Sequence, residues 1–317
     1  MYWFLLLRLA LATLLAGAAA SAQQTSSPGQ PAPPARPLFR TGVDVVSLSV
    51  TAVDAAHRYV TDLEQAEVSV FEDGVRQDVT YFNRLPRPVA LSLLLDSSAS
   101  MEGHLPMLQA AATHFVRRLK PNDLAQVIDF DSRIEIRQGF TANQAELEAA
   151  IRGTSAGGAT ALYNAIYVAL RELDKVRPAA GEDVRRQALI VFSDGEDTTS
   201  LVSFEEVMNL AKRSDTAIYT IALRSPDTTG LRGFREAEFV LRSLAQETGG
   251  RTFFPSKIED LAGAYGQIAD ELASQYTIGY TSTNARHDGA WRRVALRLAR
   301  PNVTARARNG YYAPTAR

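Results

Sequence analysis

The chain contains no cysteine. Disulfides, zinc–thiolate sites, iron–sulfur clusters and thiol nucleophiles are therefore excluded. Histidine is nearly as scarce: His57, His104, His114 and His287 are the only four, and none belongs to an HExxH pair. A histidine-built metal site has no basis here, so any metal must be held through oxygen. Charge of one sign is also missing. Lys and Arg number 34 against 35 Asp and Glu, which gives no overall pull toward nucleic acid or anionic membrane. No serine nucleophile elbow is assigned, and no Gly-Lys-Ser/Thr phosphate loop follows a glycine run.

What is present is a chain of 317 residues, 46% hydrophobic and 22% charged. That is enough to build one large packed core, or one core and a smaller one. Residues 1–22 read as a secretory signal peptide: an apolar stretch from Phe4 to Leu15 broken by Arg8, then small residues ending Ala20-Ser21-Ala22. The stretch is short for a membrane span. Residues 23–37 hold five prolines among Ser, Gln and Gly and read as an extended linker.

Three patterns follow. Over residues 38–85 the apolar period is two: Val46, Leu48, Val50 and Ala52 alternate with Ser47, Ser49 and Thr51, and Asp73-Gly74 marks a tight hairpin. Over residues 88–273, four continuous apolar runs (Val89–Leu95, Ala125–Phe130, Ala188–Phe192, Ala217–Leu223) alternate with helical patterns. Runs of this kind are strands covered on both faces, so the segment predicts a doubly wound, mostly parallel α/β sheet. Ile134 and Ile136 predict a short edge strand entered by a turn at Asp131-Ser132. Over residues 275–317 period two returns. Each β flank is too small for a good core alone, and residues 38–85 hold eight acids and four bases where the last segment is Arg-rich. The two flanks are therefore expected to pair into one small β-sandwich.

The first buried run ends Asp96-Ser97-Ser98-Ala99-Ser100, the third ends Ser193-Asp194-Gly195, and Gly157-Gly158-Ala159-Thr160 precedes a helix. The carboxyl ends of parallel strands share one edge, where ligands bind. Asp96, Ser98, Ser100, Thr160 and Asp194 thus fall on that edge from three chain-distant segments. Carboxylate and hydroxyl oxygens without nitrogen or sulfur suit a hard cation, Mg²⁺ or Mn²⁺, which keeps waters and leaves a position for a carboxylate from a partner. Singly, each of these residues is also what a turn or helix cap uses; the argument rests on all five converging. Asp129 and Asp131, near the same edge, read as turn residues.

These segments resemble the von Willebrand factor type A fold and its metal-ion-dependent adhesion site, whose Asp-x-Ser-x-Ser, distant Thr and distant Asp match Asp96, Ser98, Ser100, Thr160 and Asp194. Ala99 stands where many relatives have Gly. The flanking VSLSVTAVD, VSVFEDGVRQDVTYF, YTIGY and RNGYYAP resemble a bacterial secreted, VWFA-related subfamily. The resemblance implies a secreted or envelope, non-enzymatic module that binds a protein partner through its acidic side chain and a divalent metal. Two other readings are open. Asp96 after a buried strand resembles a phosphoryl-transfer nucleophile, although Ser98 stands where a second carboxylate is usual, so a Mg²⁺-dependent phosphoryl or ester hydrolase is one. The other is an anionic-polymer binder using Arg292, Arg293, Arg297, Arg300, Arg306 and Arg308, residues that a solvated strand face also explains.

Overall fold

Alternation in the first flank is realised as a strand with one face in a core. In the computed structural model β1 (Val45–Asp54) buries Val46, Leu48, Val50 and Ala52. The structure describes residues 45–176, 185–193, 196–222, 231–255 and 257–315, without the side chains of 231–236 and 258. The signal-peptide and linker segments, Asp194 and Gly195 lie outside the described residues. After β1 come β2 (Val68–Glu72), β3 (Val75–Gln77) and β4 (Val79–Asn83). The α/β segment follows with β5 (Val89–Asp96), α1 (Leu105–Val116), β6 (Leu124–Phe130), β7 (Ile134–Thr141) and α2 (Gln144–Arg152). It continues with α3 (Leu162–Lys175), β8 (Arg186–Ser193), α4 (Phe204–Arg213), β9 (Thr216–Ala222), α5 (Leu231–Thr248), β10 (Thr252–Phe253) and α6 (Leu261–Ser274). The chain closes through β11 (Tyr276–Thr281), β12 (Trp291–Leu298), β13 (Val303–Arg306) and β14 (Gly310–Tyr312).

The central sheet has the order β10-β9-β8-β5-β6-β7, parallel except for β7, which runs antiparallel to β6 at the edge. Every residue of β5 and of β8 is buried. Odd positions of β5 (Leu91, Leu93, Leu95) pack with α1 and α6, and Ala90 and Leu94 pack with α3 on the other face. Each such leucine contributes about 1.5–3 kcal/mol of burial, so the continuous runs expected from the sequence are what a two-sided layer requires. The strand order reverses between β5 and β8: from β5 the chain builds outward through β6 and β7, and from β8 through β9 and β10. This is the doubly wound arrangement, and its ligand crevice lies at the carboxyl ends of β5 and β8.

The flanks form two four-stranded antiparallel sheets, β13-β1-β11-β4 and β14-β12-β2-β3. Both sheets mix strands from the two ends of the chain: β1 lies between β11 and β13, and β2 pairs with β12. Their shared core includes Leu48, Val50, Val70, Tyr276, Ile278, Tyr280 and Val294. The β2–β3 hairpin turns on Asp73 (φ 48°) and Gly74 (φ 85°), the double left-handed conformation that two-residue hairpins favour.

The arginine-rich end does not form an open basic face. Arg292 is 3% exposed and meets buried Glu72; Arg300 pairs with Asp62 and Glu67; Arg306 pairs with Glu271; and Arg308 pairs with Asp215. Arg293 and Arg297 are exposed. Four of the six guanidiniums thus tie the last strands to earlier segments, which corrects both the polymer-binding and the solvated-strand readings of them.

Candidate metal site at the strand-order reversal

Asp96 ends β5 and is fully buried. Its Oδ1 accepts a hydrogen bond from the backbone N of Ser98 at 2.9 Å, and its Oδ2 accepts one from Ser193 Oγ at 2.6 Å. Residues 99–101 form a single 3-10 turn, and Ala99 is not among the positive-φ residues. Replacement of glycine by Ala99 therefore costs no backbone strain. Within this turn Ser98 Oγ and Ser100 Oγ stand 3.1 Å apart. Adjacent ligands of an octahedral Mg²⁺, at 2.0–2.1 Å from the ion, are about 3 Å apart. Ser98 is buried and Ser100 is exposed, so the hydroxyl pair spans from the interior to the surface.

The loop carrying Thr160 is bonded directly to this turn. Gly157 N donates to Ser97 O at 2.8 Å, and Ala99 N donates to Gly158 O at 3.0 Å. Gly158 holds φ +74°, and a Cβ there would lie 2.8 Å from Asp131 Oδ2, so this position needs glycine. Ala161 N donates to Asp131 O, and Ser97 N to Phe130 O. The ends of β5 and β6 and the loop before α3 are thereby interlocked.

Helix α3 has no side-chain cap of its own, and its N-cap is Ala161. The loop after β8 supplies one. Tyr163 N donates to Asp197 Oδ1 at 3.1 Å, Asn164 N donates to Ser200 Oγ at 3.0 Å, and Asn164 Oδ1 accepts from Leu201 N. Buried Thr160 donates its N–H to Thr198 Oγ1 at 3.0 Å, and its carbonyl accepts from Thr198 N at 2.9 Å. The orphan donors of a helix start thus fix Thr160 against the segment that follows β8.

Of the five residues selected from sequence, Asp96, Ser98, Ser100 and Thr160 stand on loops joined by these bonds. Asp194 lies outside the described residues, between Ser193, bonded to Asp96, and the Asp197–Ser200 segment, bonded to the start of α3. The donor set is oxygen throughout and rich in neutral hydroxyls, and with the 3.1 Å hydroxyl spacing it fits a small hard cation. Among the described residues no group of three His, Cys, Asp or Glu side chains is placed to hold a metal; a site built from hydroxyls does not need one.

Two acidic neighbours separate in role. Asp131 is a turn residue whose Oδ1 accepts from Arg133 N at 2.6 Å. Asp129 is not: it lies within β6, is 9% exposed, and its Oδ1 has no hydrogen-bond partner among the described residues. Burial raises its carboxyl above the usual range, opposed by a hydrogen bond from Ser97. Gly153 to Gly157 spells the Gly-x-Ser-x-Gly of a nucleophile elbow, but Gly153 caps helix α2. The elbow requires a strand before its serine, so Ser155 is no such nucleophile. Ser193, Asp197, Thr198 and Ser200 are the positioning residues that motif reading passes over; the one sequence signal for them is the oxygen-rich run Ser193-Asp194-Gly195-Glu196-Asp197-Thr198-Thr199-Ser200.

A reversed, mostly parallel α/β sheet with a hydroxyl-rich loop cluster at the carboxyl ends of its central strands defines a doubly wound, Rossmann-like α/β domain. Residues 91–196, about a third of the chain, match the family model described as von Willebrand factor type A domain, and this segment is similar to that family. Calcium-activated chloride channel regulator 1 of Bos taurus is 28% identical over 191 residues, covering 57% of this chain and 19% of that protein. A UPF0353 protein of Nocardia farcinica is 24% identical over 233 residues, covering 64% and 69%. The chain thus spans about a fifth of the length of the first relative. The solved structure of a von Willebrand factor type A protein from Catenulispora acidiphila is 10% identical, with a TM-score of 0.49 over 87% of this chain and 76% of that one. Domains of this family are general protein-interaction modules, mostly non-enzymatic, and commonly bind a divalent metal. No described helix is long and apolar enough to cross a membrane.

Proposed function

We propose that the chain is a secreted or cell-envelope adhesion-type module without catalytic activity. It binds Mg²⁺ or Mn²⁺ through Asp96, Ser98, Ser100, Thr160 and Asp194, and captures a protein partner through that partner's acidic side chain. We also place the von Willebrand factor type A domain at residues 88–273, on a sandwich formed by 38–85 and 275–317, after a signal peptide over 1–22 and a linker over 23–37. The observation that carries the binding reading is the donor set at the strand-order reversal: one buried, doubly hydrogen-bonded carboxylate and two hydroxyls 3.1 Å apart, with Thr160 fixed on the adjoining loop. The metal would supply a partly neutralised positive centre, and the protein's role is to hold hydroxyls that leave most of that charge for the incoming carboxylate.

Calorimetric titration with Mn²⁺ tests the first step. Ser100→Ala is the milder variant, because Ser100 is exposed and its loss removes one neutral contact, the 3.1 Å pair with the Ser98 hydroxyl. Asp96→Ala is less clean, since Asp96 is fully buried and two donors would lose their acceptor. The expected result is modest affinity in the native chain, weakened in Ser100→Ala and Thr160→Ala. Capture from envelope extracts should vanish on chelation and return with Mg²⁺. Capture that persists after chelation and in Thr160→Ala would place the binding surface elsewhere.

A further inference from the structure

A second site lies at the opposite, amino-terminal edge of the parallel sheet, where the sandwich abuts the α/β layers. A cavity of about 230 Å³ there is lined by Arg87, Arg185, Arg186 and Arg308, with Asp215 as the one carboxylate, and by serine and threonine hydroxyls that include β1 and β11 residues. Arg308 is paired with Asp215. Three guanidinium charges therefore face the cavity with no carboxylate of its lining assigned to them.

The hydrogen bonds of these groups sharpen the imbalance. Arg186 is 6% exposed, and its Nη atoms donate to Leu272 O, Gln275 O and Thr277 Oγ1, all neutral acceptors. Its Nε has no partner among the described residues, and the same holds for the buried Nε of Arg185 and of Arg308. Three N–H donors on three lining residues are thus buried and unmatched, where buried polar groups are ordinarily bonded. Burial, together with the charge of Arg87, lowers Arg186 to about 10, the direction expected of a cation lacking its counter-charge.

We propose that this cavity binds a small oxyanion of the phosphate or sulfate class, as the free ion or as the charged group of a small phosphorylated or sulfated molecule. Guanidinium groups match such oxygens in geometry and in charge. A doubly charged anion offsets more of the surplus than a single carboxylate does. The site is distinct from the metal crevice, being at the other end of the same strands, and it would link β8 to the sandwich strands that share its wall.

The test uses the 317-residue chain and inorganic phosphate and sulfate as probes, with ionic strength held constant by NaCl. Titration calorimetry should show saturable binding of one ion per chain, and the melting temperature should rise with ligand concentration by mass action. Acetate at the same strength should do less. Arg185→Gln is the decisive variant, because the Arg185 Nε makes no hydrogen bond to any described residue: it should fold as the native chain does and bind at least tenfold more weakly. Exposed Arg293→Gln should bind unchanged. If inorganic ions bind weakly and a phosphorylated sugar binds tightly, the occupant is the larger molecule of the same class. Absence of saturable binding to the folded chain by any of these probes, or affinity unaltered in Arg185→Gln, would overturn the proposal.

Discussion

Ser193 Oγ donates a 2.6 Å hydrogen bond to Asp96 Oδ2, joining the carboxyl ends of β8 and β5 across the point where the strand order reverses. Both residues are fully buried. The bond leaves Asp96 in a set orientation, with Oδ1 already turned to the Ser98 N–H. Groups that orient a ligand from behind typically change metal affinity by 10–100-fold. Ser193→Ala should therefore weaken Mn²⁺ binding about tenfold and cost about 2 kcal/mol of stability, the worth of a buried bond to a charged acceptor. Calorimetry and urea denaturation of the same preparation separate the two effects. Unchanged metal affinity in a destabilised Ser193→Ala would make the bond purely structural.

Arg117 and Glu148 give a pH-dependent prediction. Arg117 Nε and Nη2 reach the two carboxylate oxygens of Glu148 at 2.6 and 2.8 Å, stapling the end of α1 to α2. The hydrogen bonds from Arg117 hold the Glu148 carboxyl at about 2, against an ordinary value of 4.5. A carboxyl depressed on folding contributes stability that is present above its unfolded value and is lost as pH falls through the folded value. The stability gap between the native chain and Glu148→Gln should thus be constant above about pH 5 and shrink steadily toward about pH 2. Denaturant midpoints measured across that range check it, and a gap independent of pH would show the pair to be inert.

The sequence displays the layers of this fold because each strand type leaves a different pattern. Continuous runs such as Val89–Leu95 belong to strands covered on both faces, and the Val46-Leu48-Val50 alternation belongs to a strand covered on one. Short elements leave no pattern: β10 is two residues long, and β13 is Val303–Arg306 after Asn302 in a left-handed conformation. Thr51 fails the alternation for a different reason. It belongs to the outward face of β1 yet is 2% exposed, because its hydroxyl meets Glu271 of α6. No periodicity within one segment reports what another segment brings against it. The same limit applies at the crevice where we propose the metal. Asp96, Ser98, Ser100 and Thr160 are legible because strand ends and a glycine loop place them, whereas Asp197 and Thr198 act by capping α3 from a distant loop.

Glu271 and Arg306 form one of the contacts that tie the sandwich to the α/β layers. Glu271, on α6, is 1% exposed, and its Oε1 accepts from Thr51 Oγ1 of β1 at 3.1 Å, from Tyr219 OH of β9 at 2.9 Å and from the Arg306 guanidinium of β13. Arg306 is partly exposed, its side chain keeping 34% of its surface, so the carboxylate is the member of the pair that cannot reach water. Removing the arginine alone leaves a buried charge with two hydroxyl donors, and breaking a buried pair in this way costs about 3 kcal/mol or more. Removing both charges leaves no such debt, because an ion pair is often replaceable by apolar groups of similar volume. Arg306→Met should therefore destabilise strongly, and Arg306→Met with Glu271→Leu should recover part of the loss, the part due to the unpaired buried charge. Thr51 and Tyr219 still accept from the Gln275 amide at 3.3 and 3.2 Å, but their hydroxyl hydrogens lose the Glu271 acceptor, so the double variant recovers the charge penalty and not these two bonds. Denaturation of the two single variants and the double one closes the cycle. A double variant as unstable as the sum of the singles would show that Glu271 and Arg306 act on the seam independently.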